Sequence, residues 1–217
     1  MRWILLLLPC WLSAQQPAVY DADFRFTDGV YLSAESLLGN APDIPWSEIS
    51  GEMVQLPEDH RVQIDGYGYH RGAQAGDPYA ISLDGMIYLF VRRDTRLGFY
   101  EFAGLRGPGP YPTVRYDTVE HRRQLMRAYN PATGMAFREG YIERDRRRTV
   151  LRIVDMATGN RLPLNPEVVG RLVADEPEIA AAVAKLSSDD EARLMRALLL
   201  YGQRHPLLIP VNQAPDR

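Results

Sequence analysis

The side chains best able to do chemistry are histidines and the carboxylates near them. The chain has four histidines, His60, His70, His121 and His205. His60 and His70 flank a predicted hairpin that also carries acidic residues, and two histidines with a carboxylate can hold zinc. No HExxH or comparable fixed spacing joins them, so the sequence assigns no metal-ligating residue, although these two would be the first candidates. His205 is better explained as a cation at the end of a helix.

Motifs for nucleophilic catalysis or phosphate binding are absent from the sequence. There is no Gly-x-Ser-x-Gly elbow, no P-loop and no Gly-x-Gly-x-x-Gly sequence that opens a helix. Sugar hydrolysis needs two carboxylates roughly 5–9.5 Å apart. The acidic residues available for such a pair are Glu48, Glu52, Asp77 and Glu101. Because a sequence does not give distances, these acids support only an alternative, and we assign no catalytic residue and no cofactor.

The N-terminal residues 1–16, MRWILLLLPCWLSAQQ, have the pattern of a secretory signal peptide. Arg2 precedes an apolar run that ends near Leu12, and the small residues Ser13 and Ala14 follow it. The apolar run is too short for a transmembrane anchor, which needs about 20 residues. We therefore expect export and cleavage after one of residues 14–16.

The only cysteine, Cys10, lies inside this predicted signal peptide. A bacterial lipoprotein would carry a small residue before it, whereas Pro9 stands there, so lipidation is kept only as an alternative. If Cys10 is removed with the signal, the mature chain has no thiol for a disulfide or a metal. No later apolar run is long enough to cross a membrane, so we expect no transmembrane span in the mature chain.

Composition and charge are those of an ordinary globular protein. The 217 residues are 24 % charged and 46 % hydrophobic, and the net charge of −3 argues against a nucleic-acid partner. Residues 138–152 hold six arginines and have a net charge of +3, whereas residues 175–191 have a net charge of −5. The basic segment is either a surface for an anionic partner or lipid headgroup, or a solvated hairpin edge, and the second interpretation is favoured.

Turn signals predict a sheet of hairpins over the first two thirds of the chain. The dipeptides Asp65-Gly66 and Asp84-Gly85 each predict a tight hairpin, and the run from Met86 to Val91 predicts a covered central strand. Residues 104–118, rich in glycine and proline, predict a loop. Segments 122–134 and 147–159 share six of 13 positions, and each predicts a strand that ends in a glycine turn. We expect two similar hairpins in one sheet.

The last third of the chain predicts helices. Asn165-Pro166 and Glu176-Pro177 are helix starts, and Ser188 to Glu191 has the pattern of a capping box. The apolar residues expected on one face of the final helix are Ala192, Met195, Leu198, Leu199 and Tyr201. We therefore predict an α+β fold, with a β-hairpin-rich antiparallel sheet (residues 20–164) followed by C-terminal helices (165–205) in a single domain over 17–217.

Four short blocks are spaced along the chain after the predicted signal peptide. They are residues 28–33 (DGVYLS), 84–88 (DGMIY), 155–159 (DMATG) and a closing segment with Tyr201 and His205-Pro206-Leu207. Together they resemble a group of exported proteins of Bacteroidota whose openings read like DGVYLTFEDF and which have no assigned activity. Ala34 and Ser36 depart from that group, which carries an aromatic and an acidic residue there. The resemblance implies export and a small α+β fold, and it implies no catalytic residue.

These observations predict an exported, non-enzymatic protein that acts as a binding module or is associated with the cell envelope. Its location would be the periplasm, the cell surface or the medium, and its partner there is unknown. The alternative is a small periplasmic or cell-surface hydrolase that uses carboxylates. A concave pocket with converging acids or histidines would favour the hydrolase.

Overall fold

The computed structural model describes residues 17–70, 76–95 and 97–211. The predicted signal peptide and Cys10 lie outside the described residues. The strands are β1 (Pro17–Val19), β2 (Gly29–Tyr31), β3 (Ile49–Leu56), β4 (Arg61–Tyr69), β5 (Ala80–Leu83), β6 (Met86–Asp94), β7 (Phe99–Arg106), β8 (Thr113–Tyr129), β9 (Ala136–Val154), β10 (Arg161–Pro163) and β11 (Leu208–Pro210). The helices are α1 (Ala34–Leu38), α2 (Pro166–Leu172), α3 (Pro177–Val183) and α4 (Glu191–Arg204), with a 3₁₀ turn at Trp46–Glu48. The predicted α+β class is confirmed.

Strands β2 to β10 form one antiparallel sheet that divides at β7. Along the main path the order is β10-β9-β8-β7-β6-β5-β2, and β3 and β4 join at β7. The first half of β7, Phe99–Ala103, pairs with β4, whereas its end, Leu105 and Arg106, pairs with β8. Strands β4 and β8 therefore diverge from the same edge of β7. Separately, β1 pairs with β11, so the two ends of the described chain lie together.

One of the two predicted Asp-Gly hairpins is confirmed and the other is wrong. Asp84 and Gly85 have φ values of 53° and 73° and join β5 to β6. Gly66, by contrast, lies inside β4 at a φ of 60°, near an irregularity in the pairing with β3. The chain reverses instead at residues 57–60, where the amide of His60 donates to the Pro57 carbonyl at 3.1 Å. An Asp-Gly pair supplies a positive φ, which this strand irregularity uses as readily as a turn does.

The two similar segments do end in equivalent turns. Gly134 donates to the Asn130 carbonyl at 2.8 Å, and Gly159 donates to the Asp155 carbonyl at 2.7 Å. Each turn closes a hairpin, β8 with β9 and β9 with β10. The prediction of two similar hairpins in one sheet is confirmed. The predicted loop 104–118 is shorter than expected, because β7 and β8 leave only residues 107–112 between them.

Helices α2, α3 and α4 cover one part of the sheet and share a core with it. The buried members of this cluster include Ile153 of β9, Val169 of α2, Val183 of α3, and Leu194 and Leu198 of α4. Helices α2 and α3 begin where they were predicted, and the Asn165 side chain accepts the amide of Val168 at 2.9 Å. None of the helices in the described residues is long and apolar enough to cross a bilayer.

The start of the final helix differs from its prediction. Ser188 does not cap it, because α4 begins at Glu191 and Asp190 accepts two hydrogen bonds from Ser187, both at 2.9 Å. The buried face is also rotated from the predicted one. Leu198 and Tyr201 are buried as expected, Ala192 and Leu199 are exposed, and the other buried positions are Leu194, Ala197 and Gly202. Residues 194, 197, 198 and 201 have the i, i+3, i+4, i+7 spacing of one helix face, and this face is buried in the cluster that α4 shares with α2, α3 and Ile153 of β9.

Candidate functional site

The hairpin of β8 and β9 extends well beyond the rest of the sheet. The two strands have 17 and 19 residues, yet β8 pairs with β7 only at Thr113 and Val114. In the described part of the chain, the strand residues within 118–148 pair only across this hairpin, β8 with β9. We call residues 118–148 the arm and the rest of the described chain the body. At about 3.3 Å per residue, the arm reaches about 40 Å from its root to its turn.

The arm is exposed on both of its faces. Residues 121–141 and 143–149 are all exposed. Within the described part of the chain, every hydrogen bond, ion pair and cation–π contact of an arm side chain joins it to another arm residue. A two-stranded hairpin without further burial is at best marginally stable in water. The side chains of the arm therefore contribute little to the hydrophobic core of the protein.

Strand pairing separates the arm into two faces of different charge. Directly opposite residues share a face, and successive residues alternate between faces. Because Arg122 lies opposite Arg144 and Glu120 lies opposite Arg146, the even-numbered residues 118–128 and 138–148 form one face. This face holds five arginines and one acidic residue, and we call it the arginine face. The odd-numbered residues 119–127 and 139–147 hold three arginines and three acidic residues, and we call them the paired face.

Side chains of the paired face hold the two strands together. His121 Nδ1 lies 2.6 Å from Asp145 Oδ1, and Arg127 Nε lies 2.8 Å from Glu139 Oε1. The Arg123 guanidinium lies 4.1 Å from the centroid of the Tyr141 ring. These contacts cross from β8 to β9, so they are the cross-strand pairs that stabilise a ribbon.

The arginine face lacks such neutralising contacts. Its arginines are Arg122, Arg138, Arg144, Arg146 and Arg148. Among its described side chains the one ion pair is Arg122 Nε with Glu120 Oε1 at 3.1 Å, within a single strand. Arg122 and Arg144 are directly opposite each other, and like charges in that position destabilise a strand pair. This face is suited to bind an anion, because planar guanidinium groups recognise phosphate and carboxylate.

Large apolar side chains are concentrated at the far end of the arm. Six of them are exposed there: Leu125, Met126, Tyr129, Met135, Phe137 and Tyr141. Met135 and Phe137 are 70 % and 69 % exposed. We call residues 125–141 the tip. An apolar cluster of this kind on a soluble surface marks an interaction site.

A buried charge cluster joins the root of the arm to the body. Glu101 of β7 is almost fully buried and accepts Arg61 at 3.0 Å and Arg92 at 2.7 Å. Arg61 also lies 3.4 Å from Asp117 of β8, and Asp117 accepts the Thr149 hydroxyl at 2.7 Å. Arg61 therefore connects β4 to β8 at the place where the two strands diverge from β7.

The histidines named from the sequence do not come together. His60 precedes β4 and His70 follows it, so a nine-residue strand of about 30 Å separates them. The ring of His60 lies 5.7 Å from that of Tyr88 and covers Gly104. Burial and the nearby charge of Arg106 lower the pKa of His60. In the described residues, no three His, Cys, Asp or Glu side chains are grouped so that they could hold a metal ion.

The remaining histidines each contact a carboxylate. His121 belongs to the paired face of the arm, as described above. His205 follows the last residue of α4, and its Nε2 lies 2.9 Å from Glu176 Oε1. Hydrogen bonds from His205 and Arg204 lower the pKa of Glu176. The predicted position of His205 at a helix end is confirmed.

The four carboxylates named from the sequence occupy different surroundings. Glu101 is bound by two arginines, and Asp77 lies near Tyr100, whose pKa is raised mainly by burial and further by the charge of this carboxylate. The Glu48 carbonyl accepts the amide of His70 at 2.9 Å. Glu52 lines a shallow depression of about 290 Å³ together with Asp65, which is its cross-strand neighbour. Both acids of this depression are exposed.

A mostly apolar groove of the body lies between α3 and α4. It has a volume of about 380 Å³ and is lined by Ile179, Leu186, Ala197 and Leu200. Arg193, Arg196 and Arg204 stand at its edge with Glu178. The groove is open to solvent.

The chain matches no protein-family model, no curated protein and no solved structure. Sequence reasoning found the basic run 138–152 but favoured its interpretation as a solvated hairpin edge, and it did not foresee the arm. A usable signal was present, because every position of 143–148 is charged and the opposite strand carries charges at both even and odd positions, 120, 122, 123 and 127. A strand with that pattern has no face to bury.

Proposed function

We propose that this chain is an exported, non-enzymatic protein that binds an envelope partner through the arm. The observation that carries the proposal is the exposure of the arm, which presents six large apolar side chains and an arginine face. Such a surface weakens the isolated ribbon, and a bound partner would stabilise it. Arginine, tyrosine and methionine are also the residue types that interfaces favour.

Export is the second part of the proposal. It is supported by the signal-peptide pattern of residues 1–16 and by the resemblance of the later sequence blocks to exported proteins of Bacteroidota. N-terminal sequencing of the exported protein is expected to begin at residue 15, 16 or 17. A chain that still begins at Met1 would contradict cleavage, and a lipid-modified start at Cys10 would make the protein a lipoprotein.

A carboxylate hydrolase is the alternative function. Its best basis is the depression that holds Glu52 and Asp65. A general acid that works near neutral pH is usually buried in a site that excludes water, whereas both of these side chains are exposed. The arm would also have no role in such an enzyme. The binding function therefore accounts for more of the structure.

Site-specific photo-crosslinking in cells tests the binding function. A benzophenone amino acid replaces Phe137 at the tip, and in a matched control it replaces Leu208, an exposed apolar residue of the body. We expect a covalent adduct, with lipid or with protein, from position 137 and little or none from position 208. No adduct at either position, or equal adducts at both, would contradict a binding role for the arm.

A further inference from the structure

We propose that the partner of the arm is the surface of a bilayer rich in anionic phospholipids. The tip would lie at the boundary between headgroups and acyl chains, and the arginine face would bind the headgroup phosphates. This inference deepens the binding function proposed above and rests on it. Three features of the arm lead to a lipid surface.

The first feature is the separation of charge between arm and body. The arm holds eight arginines and four acidic residues, a net charge of +4. The whole chain has a net charge of −3, which leaves −7 on all the residues outside the arm. An anionic surface attracts the arm and repels the remainder within about a Debye length of 8–10 Å. An arm of about 40 Å can keep most of the body outside that distance.

The second feature is the order of side chains along the arm. Within the arm, the exposed large apolar residues all lie in the tip, 125–141. Four of the five arginines of the arginine face lie between the tip and the root. A bilayer surface has the same order, because its apolar acyl chains lie deeper than its headgroup phosphates. Tyrosine is enriched at that boundary, and long arginine side chains reach headgroups while their stems stay in apolar surroundings.

The third feature is the row of positive charge on β9. Arg144, Arg146 and Arg148 alternate with residues of the other face, so their Cα atoms repeat at about 6.8 Å. Arg122 lies opposite Arg144 and adds charge beside the row. A fluid array of phosphates can place one anion at each guanidinium without fixed complementarity, and each contact is charge-assisted. The repulsion across the Arg122–Arg144 pair would then be relieved.

Other anionic partners fit these features less well. Nucleic acid would leave the apolar tip without a role, and the negative remainder of the chain would be repelled. A second copy of this chain offers the acidic segment 175–191, but Glu176 there is already bound by Arg204 and His205. The test below includes a protein partner and a second copy as outcomes.

Vesicle binding by the mature protein tests the inference. The vesicles contain equal parts of phosphatidylglycerol and phosphatidylcholine, or phosphatidylcholine alone. We expect sedimentation with the anionic vesicles that weakens as salt is raised, and little binding to the neutral ones. Replacing Arg144, Arg146 and Arg148 with glutamine should weaken binding on the order of 100-fold, at about fivefold for each arginine near the surface.

A matched variant removes the same number of charges from the opposite face. It replaces Arg123, Arg127 and Arg147 with glutamine, and circular dichroism checks that both triple variants are folded. We expect this control to bind at least about tenfold more tightly than the arginine-face variant. Equal losses in the two variants would overturn the inference, because net charge alone would then explain the binding.

The position of the tip has its own probe. In F137W the new indole should shift its emission to the blue on anionic vesicles, because Trp46 of the body is the only tryptophan after residue 16. An unshifted emission on bound vesicles would overturn the placement of the tip. If vesicles do not bind but photo-crosslinking at 137 captures a protein or a second copy, the lipid inference is overturned and the binding function stands. If neither experiment gives a complex, both proposals fail.

Discussion

The body and the arm use the same kind of strand for different ends. In the body, side chains such as Leu89, Phe102 and Ile153 are fully buried, and helices cover one part of the sheet. In the arm, residues 121–141 are exposed on both faces, and cross-strand pairs are the contacts between its strands. The comparison shows that strand pairing alone can form a long hairpin, whereas the stability of the body comes from the burial of apolar side chains.

The two regions also treat charge differently. In the body, the buried Glu101 carboxylate is neutralised by two arginines. The arginine face of the arm has five arginines and one acidic residue, Glu120, whose described ion pair is with Arg122. Charge in the body therefore supports the fold, whereas the described contacts neutralise little of the charge on the arginine face.

Truncating a leucine should change the free energy of unfolding most, and it should do so far more in the body than in the arm. Leu198 of α4 is 3 % exposed, whereas Leu125 of the arm is 42 % exposed. Leu198→Ala should lower the free energy of unfolding by about 2–5 kcal/mol because it leaves a cavity in the core. Leu125→Ala should lower it by about 0.5 kcal/mol or less. Urea unfolding measures both, and equal losses would show that helix α4 is not docked on the sheet.

Neutralising a carboxylate should give the next largest contrast. Glu101→Gln leaves Arg61 and Arg92 without their shared anion, and we expect it to lower the free energy of unfolding by about 2–3 kcal/mol. This is less than the cost of breaking a fully buried ion pair, because both arginines are partly exposed. Glu139→Gln removes an exposed partner of Arg127 in the arm and should cost about 0.5 kcal/mol or less. Thermal unfolding distinguishes them. A silent Glu101→Gln would mean that the cluster does not hold the root of the arm.

Stability of the body should fall in mild acid through His60. Burial and the charge of Arg106 lower the pKa of its imidazole in the folded state, so between the two pKa values the unfolded chain binds the extra proton. Stability is therefore full above about pH 6.5 and is lost as the pH falls from there toward the folded pKa. Urea titrations between pH 7.5 and pH 5.5 avoid the lower range where Glu176 titrates. His60→Gln should flatten this dependence, and an unchanged slope would rule out His60 as its source.

Removing one arginine from the arginine face should slightly stabilise the free arm. Arg144→Thr ends the like-charge pairing with Arg122, which should gain about 0.2–0.5 kcal/mol locally. Hydrogen exchange of the arm amides should become slower, while that of the body should not change. Faster exchange in the arm would show that Arg144 already has a stabilising role in the free protein.

The sequence predicted local features of the body well where one residue type decides the backbone. Asn165 and Pro166 begin a helix because one caps it and the other lacks the unneeded amide. Asp84 and Gly85 form a hairpin for a similar reason. The hairpin predicted at Asp65 and Gly66 was wrong, because the same positive φ occurs at an irregularity inside β4. Only the strand partners distinguish such an irregularity from a hairpin turn.

The arm could be predicted only in part. The similar segments 122–134 and 147–159 correctly indicated strands that end in turns, and the run of arginines was visible. Local sequence does not say where a neighbouring strand stops, however, and β7 and β10 end long before β8 and β9 do. The position of Arg61 between Glu101 and Asp117 joins three distant strands, so sequence spacing could not reveal it.

The most direct test of this division is the stability of a protein without its arm. Asp117 and Thr149 are directly paired, so a two-residue Asn-Gly turn between them can replace residues 118–148. The account predicts that urea unfolding of this variant gives a free energy within about 1 kcal/mol of the complete protein. A loss of more than about 3 kcal/mol, or a chain that does not fold, would contradict the claim that the body holds the fold and the arm is kept for binding.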